Sequence, residues 1–265
     1  MKPEKFSAEL IAKREILSGT FHLVLQAPRL AEASRPGQFV MVQAQDGADP
    51  LLRRPISLCG AGNGTVELLF QVKGRGTRLM ASWEPGRSVS LLGPLGTGFT
   101  IPDTLKTAVL VAGGIGAAPL LYLANSLVRL SDVKCCFFFG SKTGRERSLV
   151  EDFIRTKDFE YLCVCEDGST EIKGFVTEVF AGELTGNKIN TKGACIFSCG
   201  PEPMLKKVSE LAEQYEIPCQ VSLEARMACG VGACLGCVAA TIDGYKRVCA
   251  DGPTFNSKDI VWSHD

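Results

Sequence analysis

The chain changes its hydrophobic rhythm once, near Ile101-Pro102-Asp103. Before that point, apolar runs of strand length (FHLVLQA, QFVMVQA, PISLCG, TVELLFQV, SVSLLG) alternate with turn-forming clusters such as Arg35-Pro36-Gly37, Gly60-Ala61-Gly62-Asn63-Gly64 and Pro85-Gly86. Short strands at even spacing predict a small antiparallel β-barrel over residues 1–101. Beyond it, strand-like and helix-like runs take turns: TAVLVA then APLLYLANSLVRL, KCCFFFG then SLVEDFIRT, YLCVCE, and ACIFSCG then PEPMLKKVSELAEQY. That alternation predicts βαβ units around a parallel sheet, with central strands apolar on both faces. This α/β segment is expected over 102–220, and a small cysteine-bearing module over 221–265. The fold class is β plus α/β.

One stretch imitates a membrane span, because Thr107 to Val128 holds no charge. Gly113, Gly114, Gly116 and Pro119 interrupt it, so strand–turn–helix is the better reading. Lys plus Arg and Asp plus Glu number 29 each, leaving no overall field for nucleic acid or an anionic membrane. Neither is expected as a partner. The start, Met1-Lys2-Pro3-Glu4-Lys5, has no apolar run behind its charges, so no signal peptide is read and the cytoplasm is the expected location. The two histidines, His22 in a strand pattern and His264 in the tail, offer little to triad hydrolysis or His-ligated metal chemistry.

Four of the twelve cysteines stand in a chemically specific pattern: Cys229, Cys234, Cys237 and, further on, Cys249. C-x4-C-x2-C with a distant fourth Cys is the plant-type [2Fe–2S] spacing. Gly230, Gly232 and Gly236 lie between the ligands and allow φ > 0 turns that bring N–H groups to the sulfurs. VAATI, Asp243-Gly244 and YKRV read as a hairpin whose two-residue turn pairs Val238 with Cys249. Cys237 and Cys249 then share the open end of one ribbon, roughly 5–8 Å apart. A structural zinc site more often shows two C-x2-C pairs or mixed Cys and His, and a disulfide framework belongs to short secreted chains. The other eight cysteines fall mostly in apolar strand-like runs and read as buried thiols.

Further segments read as nucleotide sites. TAVLVA runs into Gly113-Gly114-Ile115-Gly116-Ala117-Ala118-Pro119, a turn that offers backbone N–H groups and a helix N-terminus to a pyrophosphate. Pro119 stands where G-x-G-x-x-G has its third glycine, and tight strand–helix packing explains such a turn as well. Ser198-Cys199-Gly200-Pro201-Glu202-Pro203-Met204 also follows a strand and opens a helix, so both turns should face one crevice. Gly200 would admit a flat ring with Cys199 against it; a plain strand end is the alternative. In the barrel, Arg53-Arg54-Pro55-Ile56-Ser57 ends an apolar run, with Arg54 read as a phosphate clamp and Ser57 as a donor to a ring edge or phosphate. Gly74-Arg75-Gly76-Thr77 reads as a backbone nest before helix-like RLMASW. Lys142, Arg145 and Arg147 could meet a 2′-phosphate, which Glu166-Asp167 would repel.

In that order (barrel with R-P-I-S and G-T, GGIGAAP turn, C-G-P-E-P-M, four cysteines) the chain resembles the ferredoxin reductase family. Its tail, with GYKRVCADGP, is similar to that of class 1B dihydroorotate dehydrogenase electron-transfer subunits. The resemblance implies FAD held by Arg54, Pro55, Ile56, Ser57, Leu69, Phe70, Gln71, Gly76 and Thr77. It implies NAD(H) at Gly113, Gly114, Gly116, Pro119, Gly200, Pro201 and Met204, with Cys199 near the transfer point. It also implies a [2Fe–2S] cluster on Cys229, Cys234, Cys237 and Cys249 at a subunit interface. Phe70-Gln71 departs from the family's frequent Tyr-Arg and removes a cationic phosphate contact. A hydride carries two electrons and the cluster takes one, so the flavin must divide the pair. The implied route ends on the FMN of a catalytic dihydroorotate dehydrogenase subunit, two of each chain in a heterotetramer, in pyrimidine biosynthesis. A related NAD(P)H–ferredoxin-type reductase with another flavoprotein partner, and a zinc-stapled nucleotide-binding redox sensor, are the alternatives.

Overall fold

The computed structural model describes residues 3–47, 49–128, 133–154 and 159–262; His264 lies outside them. The first strands are β1 (Glu4–Leu17), β2 (Thr20–Gln26), β3 (Phe39–Val42), β4 (Arg54–Gly62), β5 (Thr65–Gln71) and β6 (Ser88–Leu95), with helices α1 (Pro28–Ala33) and α2 (Arg75–Ala81) among them. They close into the expected antiparallel barrel in the order β1-β2-β5-β4-β3-β6. Period-2 alternation builds it: Leu23 and Leu25 of β2 and Val66 and Leu68 of β5 join the barrel core, while His22, Val24 and Glu67 between them turn outward.

Strand β1 was not expected. Only Ala8 and Leu10 of its residues are fully buried, so EKFSAELIAKREIL carries no apolar run. What makes it a strand is its backbone, which pairs with both β2 and β6 and seals the barrel seam.

The second segment carries β7 (Thr107–Gly113), β8 (Lys134–Ser141), β9 (Phe159–Cys165), β10 (Ile172–Lys173), β11 (Ala194–Cys199) and β12 (Cys219–Ser222). Between them lie α3 (Ala117–Leu127), α4 (Ser148–Glu151), α5 (Val176–Thr185) and α6 (Glu202–Gln214). The last stretch adds β13 (Val238–Thr241), β14 (Gly244–Arg247) and β15 (Thr254–Asn256). The main sheet runs β10-β9-β8-β7-β11-β12-β15, parallel except for β15. Every residue of β11 is buried, and Leu110, Phe137 and Phe197 face one helical layer while Val109, Phe138 and Ile196 face the other. All eight cysteines outside the tail pattern lie buried in strands. Among the described residues no helix is long and apolar enough to cross a membrane, and the uncharged stretch divides into β7, a tight turn and α3.

The tail hairpin forms two residues out of its expected register: Val238 faces Arg247, and the turn residues are Ile242 and Asp243. A two-residue type I′ turn at Asp243-Gly244 needs φ > 0 at both positions, but only Gly244 has it, at +94°. Val248 N donates to Cys237 O at 2.7 Å, so the shift still leaves Cys237 and Cys249 at the ribbon's open end.

The link between barrel and sheet is held from the C-terminal side. Thr97 N donates to Gly252 O at 2.6 Å, Thr254 Oγ1 to Thr97 O and Gly98 O, and Gln220 Nε2 to Thr100 O. Phe99 then meets Phe197 edge-on, with centroids 5.5 Å apart. Phe197→Ala should therefore destabilise the protein by about 3–5 kcal/mol, read as a lowered midpoint in chemical denaturation.

Candidate functional site

A cleft lies between the barrel and the parallel sheet. Arg54, Pro55, Ile56 and Ser57 enter it from β4, Leu69, Phe70 and Gln71 from β5, and Thr77 from α2. Ile115 and Gly116 face them from the turn after β7 and Pro119 from the start of α3, with Cys199 at the end of β11. Ser222, Leu223, Glu224, Met227 and Pro253 of the C-terminal segment complete the lining.

The two neighbouring arginines have separate fates. Arg53 is spent on structure: its guanidinium donates to Met41 O, Ser90 O, Ser90 Oγ and Gln43 Oε1, tying β3 to β6. Arg54 faces the cleft and donates to Leu52 O. Gly76 does not line the cleft; it lies directly under Arg54, where any side-chain carbon would collide with Nε and Cζ. Thr77 Oγ1 accepts from Lys73 N and Gly74 N at 3.0 and 3.1 Å and fixes the turn that opens α2.

On the sheet side the expected residues divide. Gly113, Gly200, Pro201 and Met204 pack on one another: a Cβ on Gly113 would sit 2.8 Å from Met204 Sδ and Pro201 Cδ, and one on Gly200 2.6 Å from Met204 Cε. Gly116 is pinned against Cys199 O. Close packing therefore explains these glycines, and Gly114, with φ +52° and open space at its Cβ position, is the one that presents free backbone surface. Burial, followed by the Glu224 carboxylate, pushes the Cys199 thiol up to about 12, so it is an uncharged wall residue at neutral pH. Ser222 and Glu224 were missed in the sequence; their signal is their place at and just past the carboxyl end of β12, where open α/β sheets bind ligands.

The four tail cysteines converge on one glycine-bearing loop. Cys237 and Cys249 are buried, Cys229 is half-buried and Cys234 is exposed. Gly230 (φ +72°) sets the loop on the barrel, since a Cβ there would fall 2.5 Å from Met41 Cγ. Gly232 (φ +78°) donates its N–H to Cys249 Sγ at 3.1 Å, and Val231 N reaches Cys229 Sγ at 3.4 Å. Gly236 is not left-handed as expected; Leu235 takes that conformation instead, at φ +57°. Burial would raise the Cys229 thiol, but the N–H groups of Val231, Cys234 and Ala233 outweigh it and bring it down to about 6. Cys249 goes the other way, to about 12, through burial and the adjacent Cys237 thiol.

A bidentate ion pair braces this loop. Arg247 donates to both Asp251 oxygens at 2.8–2.9 Å and extends Nη1 to Gly232 O. Arg247 holds the Asp251 carboxyl down to about 2, so the pair is intact at neutral pH and is lost only as pH falls toward 2. An all-sulfur donor set with aimed N–H groups fits an iron–sulfur cluster, and the largely apolar cleft with one guanidinium fits a flavin.

Residues 224–261 match the model of the iron–sulfur cluster binding domain of dihydroorotate dehydrogenase B, and residues 110–210 that of an oxidoreductase NAD-binding domain. The chain is 38% identical to the dihydroorotate dehydrogenase B (NAD(+)) electron transfer subunit of Desulforamulus reducens, over 97% of this chain and 98% of that one. It is 38% identical to the same subunit of Bacillus caldolyticus over 96% of each. Among solved structures, an NADH-dependent reduced ferredoxin–NADP oxidoreductase superposes with TM-score 0.85 at 26% identity, over 96% of this chain and 90% of that one. A ferredoxin NADP+ reductase from Neisseria gonorrhoeae with bound FAD and NADP shares the fold, with TM-score 0.67 at 16% identity over 80% and 91% of the two chains.

Two variants probe the site. Gly76→Ala displaces the Arg54 guanidinium and should lower the flavin content per purified chain. Asp251→Asn frees Arg247 and should speed loss of cluster absorbance to a chelator several-fold while flavin content stays unchanged.

Proposed function

The chain belongs to the family of dihydroorotate dehydrogenase B electron-transfer subunits, and from that premise we propose that it carries electrons from NADH, by way of FAD and a [2Fe–2S] cluster, to the FMN of a catalytic dihydroorotate dehydrogenase subunit. One observation carries this reading. Phe39 and Met227 line the cleft and also belong to the apolar cluster that encloses Cys237 and Cys249. Side chains that line the cleft are thus packed in the same apolar cluster as two of the four loop cysteines. In this reading residues 1–101 bind FAD, 102–220 bind NAD(H) and 221–265 hold the cluster.

When bound, the flavin accepts a hydride's two electrons together and releases them singly, and the cluster carries one at a time. The chain's own groups bind and orient. Arg54 clamps a phosphate with its guanidinium fork, and Ser57 donates to the ring edge. Leu69 and Phe70 supply apolar contact, and Gln71 stands in for the missing cation. Cys199, Gly116 and Pro119 close the opposite wall and exclude water, Cys199 as a neutral thiol beside the transfer point. Gly114 offers its open backbone to the nicotinamide nucleotide, while Gly113, Gly200, Pro201 and Met204 hold the two turns together behind it. Cys229, Cys234, Cys237 and Cys249 ligate the irons as thiolates.

NADH is favoured by the state of the nearby cations. Arg147 is already paired with Glu151 at 2.8 Å and Glu171 at 3.4 Å, and Glu166 and Asp167 follow β9 next to Ser141 and Lys142. A 2′-phosphate would meet carboxylates there. The catalytic partner is assigned to the rim around exposed Cys234, where Val231, Leu235 (63% exposed), Val238 and Tyr245 present apolar surface. Two copies of each chain complete the assembly. Twelve cysteines, eight of them buried strand thiols, fit a reducing compartment such as the cytoplasm.

The second reading, a reductase with another flavoprotein partner, rests on the 26% identical oxidoreductase structure. Anaerobic co-purification separates the two: the expected partner contains FMN and oxidises dihydroorotate, and capture of a different flavoprotein would overturn the first reading. Cys199→Ala should slow flavin reduction by NADH about tenfold or more. An unchanged rate in stopped-flow removes Cys199 from the transfer point.

A further inference from the structure

We propose that His22, Cys59 and Glu67 form a second metal site, which binds one zinc-class divalent cation on the outer face of the barrel. It is independent of the flavin and the tail cysteines. The three residues come from three neighbouring strands, β2, β4 and β5, and one ligand atom from each lies within 4.8 Å of the others. His22 Nε2 and Glu67 Oε2 are 3.0 Å apart. Tetrahedral zinc, with bonds of about 2.0–2.1 Å to nitrogen and oxygen and 2.3 Å to sulfur, needs ligand atoms slightly further apart than that, so a small opening of this pair admits the ion.

The backbone is built for the convergence. Register between β4 and β5 slips between Leu58 and Gly60, which makes Cys59 the extra residue of a β-bulge. Leu58 points into the barrel core, whereas Cys59 packs with the cluster under the parallel sheet. Bulges re-aim side chains in this way. Gly60 then stands opposite Glu67, and a Cβ there would press on its carboxylate at 3.1 Å. The glycine leaves room for the acid to lie over the strand toward Cys59 and His22.

The donor set selects the ion. One imidazole, one thiolate and one carboxylate suit zinc and its neighbours rather than Mg2+ or Ca2+, which take oxygen ligands. Cys59 is 3% exposed, while the side chains of His22 and Glu67 are 12% and 13% exposed, enough for entry and for a water as fourth ligand. On binding, the Cys59 thiol gives its proton to solvent, His22 binds as the neutral ring and Glu67 as the carboxylate. His22 also meets Phe153 edge-on at 4.8 Å, so the ion would clamp three barrel strands at the seam with the α4 region.

The test uses the holoprotein, with flavin and cluster loaded, stripped with a mild chelator and equilibrated with Zn2+ alone. Metal analysis should find one zinc per chain beyond the cluster iron, and zinc-edge X-ray absorption should show one sulfur near 2.3 Å with nitrogen or oxygen neighbours near 2.0 Å. Cys59→Ala and Glu67→Gln should lose that zinc while keeping iron and flavin. If Cys59→Ala does not load its cofactors, the near-isosteric Glu67→Gln decides. No retained zinc, equal zinc in wild type and Glu67→Gln, or an all-sulfur shell reporting zinc in the tail loop would each overturn the site.

Discussion

Three segments of this chain meet at a contact too close for side chains. At Gly96 (φ +73°) a Cβ would lie 2.5 Å from Pro253 Cδ and 2.6 Å from Gly252 O; at Gly230 it would strike Met41. Backbone therefore lies on barrel wall with nothing between, and the cleft and the sulfur loop take their spacing from that approach. Hydrogen bonds from Thr97 and Thr254 lock it, and Phe39 and Met227 fill what remains. Any larger residue at these glycines would widen the gap that electrons must cross.

The architecture was legible because period and length carry it. Alternating barrel strands, fully apolar central strands and the tail's cysteine spacing are statements about local chemistry, and they hold. One miss depended on partners distant in sequence, and two lay in local turn conformations. β1 carries charges along its length and is a strand only because β2 and β6 pair with it. The tail hairpin missed its register by two residues because Asp243-Gly244 looks like a type I′ pair while only Gly244 turns left-handed. Leu235, not Gly236, bends the cysteine loop, a choice no propensity favours.

The candidate site was legible in its residue types and less so in their tasks. Both arginines of Arg53-Arg54 look alike in sequence, yet one ties strands and the other faces the cleft. The glycines of the GGIG turn satisfy packing against Cys199 and Met204 as much as any nucleotide, a division that depends on a neighbouring strand's turn. Ser222 and Glu224 carry no motif. His22, Cys59 and Glu67 are scattered through the first segment and meet only because a bulge rotates one side chain.

The sulfur loop, residues 223–253, leaves the main sheet at β12 and returns to it at β15, and those two strands are hydrogen-bonded neighbours. Its base is thus stitched shut. A swinging shuttle, which picks up charge at one place and discharges it at another, needs a hinge at its root; here the root is a ladder. The donor-to-acceptor separation within the subunit is frozen at folding, and any variable leg of the journey belongs to the arrival of the next protein.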